Sequence, residues 1–176
     1  MSAASSADSP DPKITTQECK YTVMIAVLQR VSEAAVNIDG SEYSAIGKGI
    51  MILLGVAEED TEEDVRLLAE KIPKLRIFED EEGKMNLSLT DVNGELLVVS
   101  NFTLLAAYRK GNRPDYMNAA RPEKAIPLYE SFINQIHEKV PVVQHGVFGA
   151  DMKLSLTNDG PVTIVMDSNV LKQPKR

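Results

Sequence analysis

Two short segments carry residue types that could do chemistry: "SNFT" at 100–103 and "NDGPVT" at 158–163. In the first, Ser100, Asn101 and Thr103 interrupt an apolar run of Val98, Val99, Phe102 and Leu104. Hydroxyls and an amide in that pattern fit either the outward face of a strand, with side chains bonding locally, or a site that receives a polar group. In the second, Asp159-Gly160 lies between "MKLSL" and "VTIVM", two runs that alternate as strands do, so a two-residue hairpin turn with Gly160 at positive φ is the simple expectation. Pro161 complicates that reading, because proline has no N–H to give a sheet ladder and a Gly-Pro peptide can be cis.

The familiar catalytic constellations do not form. His137, on an expected helix, and His145, in an expected strand, are not patterned with a nucleophile and an orienting carboxylate, so each reads as structural or surface. Cys19 lies in a polar N-terminal stretch and makes a poor candidate for a thiolate nucleophile. No Cys, His and carboxylate residues recur at ligand spacing, so neither a metal nor another cofactor is expected. "EEDTEED" at 58–64 reads as an acidic helix start, favoured by the helix dipole, and "GKG" at 47–49 as a turn rather than a phosphate loop. One basic stretch, "YRKGNRPDYMNAARPEK", stands out in a chain of net charge −7. It is either a solvated loop or a local patch in which Arg109, Lys110 and Arg113 meet the phosphates of a nucleic acid.

Positioning these residues falls to an alternation of strand and helix signals. "MIAVLQRV", "AAVNI", "SEYSAI" and "GIMILLGVA" read as four strands, with Asp39-Gly40 as a hairpin turn between the second and third. Thr61 followed by Asp64 starts a helix whose apolar positions are Val65, Leu68, Ala69, Ile72 and Leu75, and Pro73 should kink it or end it early. "KMNLSL" and "ELLVVSNFTL" return to strand character around an Asn93-Gly94 turn. A second helix is expected from about 122 to 139, with Pro122 in its first turn and Leu128, Phe132, Ile133 and Ile136 on one face. Three strands close the chain: "VPVVQHGVF", "DMKLSLT" and "PVTIVMD".

Composition sets the outer limits. The 176 residues, 43% hydrophobic and 26% charged, suit one globular domain with a real core. The expected division is a disordered extension over 1–23, a domain over 24–168 and a tail over 169–176. The longest apolar stretch, "IMILLGVA", has strand length, so no membrane span is expected. A single cysteine and the absence of a basic-then-apolar leader point to a reducing, cytoplasmic setting.

Taken together, "VLQRVSEAAV", "LRIFEDEEGKMNLSL", "ELLVVSNFTL", "RKGNRP", "AARPEKAIPLYESF" and "GVFGADMKLSLTNDGPVTIVMDS" closely resemble the D-aminoacyl-tRNA deacylases, also called D-tyrosyl-tRNA deacylases, over about 24–168. The resemblance implies a compact single α/β domain of β-sheets packed with two main helices, working as a homodimer. It implies hydrolysis of the ester between a D-amino acid and the 3′-terminal adenosine of tRNA, with mischarged glycyl-tRNA as a further substrate. By the same resemblance Gly160 and cis Pro161 enter the partner subunit's active site, where their carbonyls hold the substrate amino group and an L side chain would collide. Arg30 would support that motif or form a structural salt bridge, Thr163 would anchor the chain after it, and Met152 would line the pocket or pack beneath it. The family's Ser-Gln-x-Thr motif maps onto Ser100, Asn101, Phe102 and Thr103, departing from it at Asn101. Main-chain N–H groups around Phe102 and Thr103 would stabilise the oxyanion, with help from the tRNA terminal 2′-hydroxyl in place of a side-chain base.

Overall fold

The alternating residues from 24 to 38 contain no Gly or Pro that could reverse the chain, and they form one continuous strand rather than two, β1 (Ile25–Ile38). The computed structural model describes residues 23–109 and 111–174. The N-terminal extension up to Tyr21 and Thr22, including Cys19, lies outside the described residues, as do Lys110 and the last two positions.

β1 is the axis of the sheet. From Ile38 the chain turns through Asp39 (φ 51) and Gly40 (φ 79), both left-handed as a tight hairpin requires, into β2 (Ser41–Ile46). β3 (Gly49–Gly55) then pairs with the first half of β1, so that β2 and β3 follow one another along a single edge. Beyond a two-stranded ladder of β4 (Phe78–Glu79) and β5 (Met85–Leu87), β6 (Glu95–Ser100) adds parallel to β3 and β7 (Val143–His145) parallel to β6. The last strand, β8 (Met152–Asp167), runs antiparallel along the whole other edge of β1. "DMKLSLT" and "PVTIVMD" are therefore two halves of one strand. "VPVVQHGVF" contributes only three strand residues, with Pro141 before them and Gly146 after.

The two faces of the sheet are both apolar. On one, Leu28, Ile50, Ile52, Leu96 and Val98 pack against the helices. α1 (Glu62–Lys71) starts at Thr61, whose N–H donates to Asp64 Oδ2 at 3.0 Å, and buries Val65, Leu68 and Ala69. It stops two residues before Pro73 and passes into a 3₁₀ turn, Ile72–Lys74, since the proline has no N–H to continue it. α2 (Pro122–His137) has proline at its first position and buries Leu128, Phe132 and Ile136. On the other face, Val31, Val36, Ile46, Met51, Leu97 and Val99 form a second cluster. A third helix, α3 (Ser168–Lys172), is too short to leave a periodic signal in the sequence and begins at the boundary expected between domain and tail.

Candidate active site

β6 ends at Ser100, and the polar segment after it is a turn rather than more strand. Asn101 N–H donates to Leu54 O at 2.8 Å, which ties the chain to the end of β3. Residues Phe102–Leu105 then coil into a 3₁₀ turn that Asn101 caps: its Oδ1 accepts the Thr103 N–H at 3.1 Å and the Thr103 hydroxyl as well. Capping by a short amide explains why a strand pattern gives way here. Phe102 N–H, first in the same turn, has no protein acceptor among the described residues. It opens beside a cavity of about 190 Å³ lined by Leu54, Ser100, Asn101, Phe102, Phe148 and Met152.

The walls of this cavity are apolar and its rim is aromatic. Phe102 is 57% exposed and meets Tyr116 edge to face at 5.1 Å between centroids. Met152 packs close to Gly146, where an added Cβ would lie 2.4 Å from the Met152 sulfur and the flexible thioether would have to move. Beyond the rim, Ala107 and Asp115 exchange backbone bonds of 2.7 and 2.8 Å that close the base of a loop. That loop carries exposed Arg109 and Arg113 close in sequence to the 3₁₀ turn.

Asp159-Gly160 forms a bulge instead of a hairpin. Gln29 pairs with Thr163 and Val31 with Asn158, so residues 159–162 stand out of β8 opposite the single residue Arg30. Local sequence gives Asp159-Gly160 and Asp39-Gly40 the same signal; only the long partner strand separates the two outcomes. Arg30 is 4% exposed and clamps the bulge. Its Nε donates to Asp159 O at 2.9 Å and its Nη1 to Ile77 O at 2.6 Å, while Asp159 and Glu79 carboxylates lie at 3.4 and 3.7 Å. Asn158 Nδ2 closes the base by donating to Arg30 O at 2.9 Å and Val162 O at 3.2 Å. The Thr163 hydroxyl bonds Gln29 Oε1, fixing the chain beyond the bulge.

Within the bulge, the Gly160-Pro161 peptide is cis and Gly160 has φ +133, a conformation that L side chains rarely adopt. A Cβ at Gly160 would lie 2.8 Å from Arg30 Nη2 and 2.8 Å from Val162 Cγ2. Gly160 and Pro161 do not line the cavity beside Phe102. The structure therefore brings Ser100, Asn101, Phe102 and Met152 together in one place, and Arg30, Gly160, Pro161 and Thr163 together in another.

The histidines are engaged elsewhere. His137 Nδ1 lies 3.2 Å from Val140 O at the end of α2, and His145 Nδ1 lies 2.9 Å from Gly146 O. Among the described residues no three His, Cys, Asp or Glu side chains come together as a ligand set.

The family model for D-Tyr-tRNA(Tyr) deacylase matches residues 27–167, spanning the 3₁₀ turn after β6, the bulge and the sheet between them. The chain belongs to this family. D-aminoacyl-tRNA deacylases of Porphyromonas gingivalis and Akkermansia muciniphila are similar to it at 57% and 58% identity, covering 83% and 82% of this chain and 98% and 97% of theirs. That of Chloroflexus aurantiacus is 57% identical over 87% of this chain and 96% of its own. Among solved structures, the c-Myc DNA unwinding element binding protein superposes with a TM-score of 0.77 at 43% identity, over 81% of this chain and 97% of its own. A probable eukaryotic D-amino acid tRNA deacylase superposes with a TM-score of 0.73 at 18% identity, over 82% and 99%, which speaks for the fold. Asn101, at a position where the deacylase motif read from the sequence has glutamine, is the departure with a visible local consequence: its shorter amide occupies the Thr103 N–H.

Proposed function

We propose that the chain hydrolyses the ester of D-aminoacyl-tRNA, releasing free tRNA and the D-amino acid as a chirality check in translation. The observation that carries this reading is the bulge at Gly160-Pro161, held out of β8 by Arg30 and Asn158 and absent from the lining of its own chain's cavity. Such a projection is a backbone probe that needs a second copy's cavity to act on. In the resulting homodimer, the main-chain carbonyls of the motif receive the substrate amino group. A D substituent points away, and an L substituent runs into the motif. Glycine has no substituent to collide, so glycyl-tRNA is a second substrate.

The chemistry follows from what lines the cavity. The ester carbonyl of the 3′-terminal adenosine sits beside Phe102 N–H, the uncommitted donor of the 3₁₀ turn, which stabilises the oxyanion as water adds. Thr103 N–H becomes a second donor when the Asn101 amide turns away from it. The neighbouring ribose 2′-hydroxyl assists proton transfer, and the 3′-oxygen leaves as the tRNA hydroxyl. Arg109, Lys110 and Arg113 meet backbone phosphates, and because the chain as a whole carries net charge −7, that contact is local and readily released.

Matched time courses of D-tyrosyl-, L-tyrosyl- and glycyl-tRNA test the reading. Loss of the D and glycyl esters with the L ester decaying at the buffer rate is expected. Preferential loss of the L ester would replace the proposal with an editing activity of opposite chirality, and equal slow decay of all three would leave a binding protein.

A further inference from the structure

A second cavity, of about 380 Å³, opens on the far side of Phe148 from the catalytic one. This volume falls in the range of about 300–1,000 Å³ usual for small-molecule sites. The shared wall is fixed: Phe148 packs edge to face on Tyr129 at 6.0 Å, and the Tyr129 hydroxyl donates to Val98 O at 2.8 Å in the interior. Tyr43, 52% exposed, offers a second aromatic surface at the mouth.

The polar groups of the lining select the kind of ligand. Glu130 and Asn134 are four residues apart on α2, which puts both on one helical face, and both are exposed. His145 Nδ1 lies 2.9 Å from Gly146 O, which engages that ring nitrogen and leaves Nε2 as the one available to a ligand. The lining holds one carboxylate and no Lys or Arg. Such a site repels phosphate and receives an uncharged, flat ligand that donates hydrogen bonds.

We infer that this cavity binds the base of the penultimate nucleotide of the tRNA 3′ end, a cytosine, through its exocyclic amine. The inference rests on the proposed function: the esterified nucleoside occupies the cavity beside Phe102, and the next base along the strand passes the Phe148 edge into the neighbouring one. Cytosine presents the amine to Glu130 and the Asn134 carbonyl, its ring lies against Tyr43, and its phosphate stays in solvent. Uracil, with a carbonyl where cytosine has the amine, turns an acceptor toward the Glu130 carboxylate.

The test is titration of the full-length protein with the dinucleotides cytidylyl-adenosine and uridylyl-adenosine, followed by NMR. Binding of the cytidine dinucleotide about tenfold tighter is expected, in keeping with a hydrogen bond to a charged group. In a Glu130→Ala, Asn134→Ala double variant, both exposed positions, that preference disappears while the affinity for adenosine alone is unchanged. Equal affinities in the parent protein, or a preference that survives in the double variant, would overturn the inference. So would perturbation of the Glu130 and Asn134 amides by adenosine alone, which would assign the cavity to the terminal base. Hydrolysis of D-tyrosyl-tRNA by the parent is measured alongside, so that a failed cytosine preference is separable from failure of the deacylase reading.

Discussion

In the proposed mechanism Phe102 and Gly160 act through their main chains, which makes their side-chain types matter in an unusual way. Phe102 lines the cavity and sets its ring against Tyr116, and the proposed mechanism uses its N–H as the oxyanion donor. Phe102→Pro removes the N–H at the first position of a turn where proline fits, after an Asn101 already extended at φ −147. Phe102→Leu keeps the donor and loses the ring. Single-turnover hydrolysis of D-tyrosyl-tRNA should fall about 10²–10³-fold for the proline variant, the usual cost of one oxyanion donor. The leucine variant should lose far less; equal losses would place the effect in the ring and remove Phe102 N–H from the mechanism. Gly160→Ala meets both strain at φ +133 and a Cβ 2.8 Å from Arg30 Nη2, so the bulge must shift. Its D-ester hydrolysis is expected to drop by at least tenfold, with a melting temperature lowered by a few degrees, about 1–2 kcal/mol. An unchanged rate together with an unchanged melting temperature would show that the bulge is neither constrained nor used.

Among the elements, two buried carboxylates at the start of α1, Asp60 and Asp64, the second bonded to α3, give stability a pH dependence. Asp60 is 2% exposed; its Oδ2 accepts the Ala57 N–H at 2.6 Å, and its Oδ1 has no partner among the described residues. Burial pushes this carboxyl up to about 7, the Asp64 charge adds to the effect, and Lys172 partly offsets it. Because the folded value lies above the unfolded one, the cost of ionising Asp60 is absent below about pH 4, grows as pH rises, and is complete above about pH 7, with an upper size of about 4 kcal/mol. Asp64 behaves oppositely. Burial resists its charge, but Lys172 at 2.7 Å, the Ser168 hydroxyl at 2.6 Å and the Thr61 N–H outweigh it and hold the carboxyl low, so its stabilisation is present at neutral pH and lost in acid. Stability should peak on the acid side of neutrality. Asp60→Asn keeps an acceptor for Ala57 and removes the ionisation, so its urea midpoint should exceed the parent's at pH 8 and converge on it near pH 3, below the unfolded value. A parent midpoint that tracks the variant's across that range would exclude Asp60 as the cause. None of this is readable from "EEDTEED", which sequence patterning resolves only as a helix start. The cap at Thr61, the stop before Pro73 and the turn at Asp39-Gly40 are local signals and are legible, whereas Asp64 acquires its Ser168 and Lys172 partners from a helix more than a hundred residues later.

At the scale of the whole molecule, the same distinction decides what the sequence discloses about the site. Ser100 to Thr103 and Gly160-Pro161 are visible as irregularities in apolar runs, but whether the second is a hairpin or a bulge depends on β1, whose fourteen residues give β8 a continuous partner. That pairing has a further consequence. Among the described residues β8, sixteen residues long, bonds to β1 along one edge and leaves its other edge without a strand partner, with Val165 67% exposed. In the proposed homodimer a second copy would cover this edge while delivering each bulge to the other's cavity, so that the two motifs would meet between chains. Mixing two inactive proteins tests this directly. Phe102→Pro spoils the cavity and leaves the bulge intact, and Gly160→Ala does the reverse. After subunit exchange, mixed dimers should contain one site built from the two intact parts, restoring about a quarter of the parent rate. Recovery at the same total concentration, with sedimentation showing a dimer mass, is the expected result. A mixture no more active than its components, despite demonstrated exchange of subunits, would mean that each chain completes its site alone and that the bulge serves some other contact.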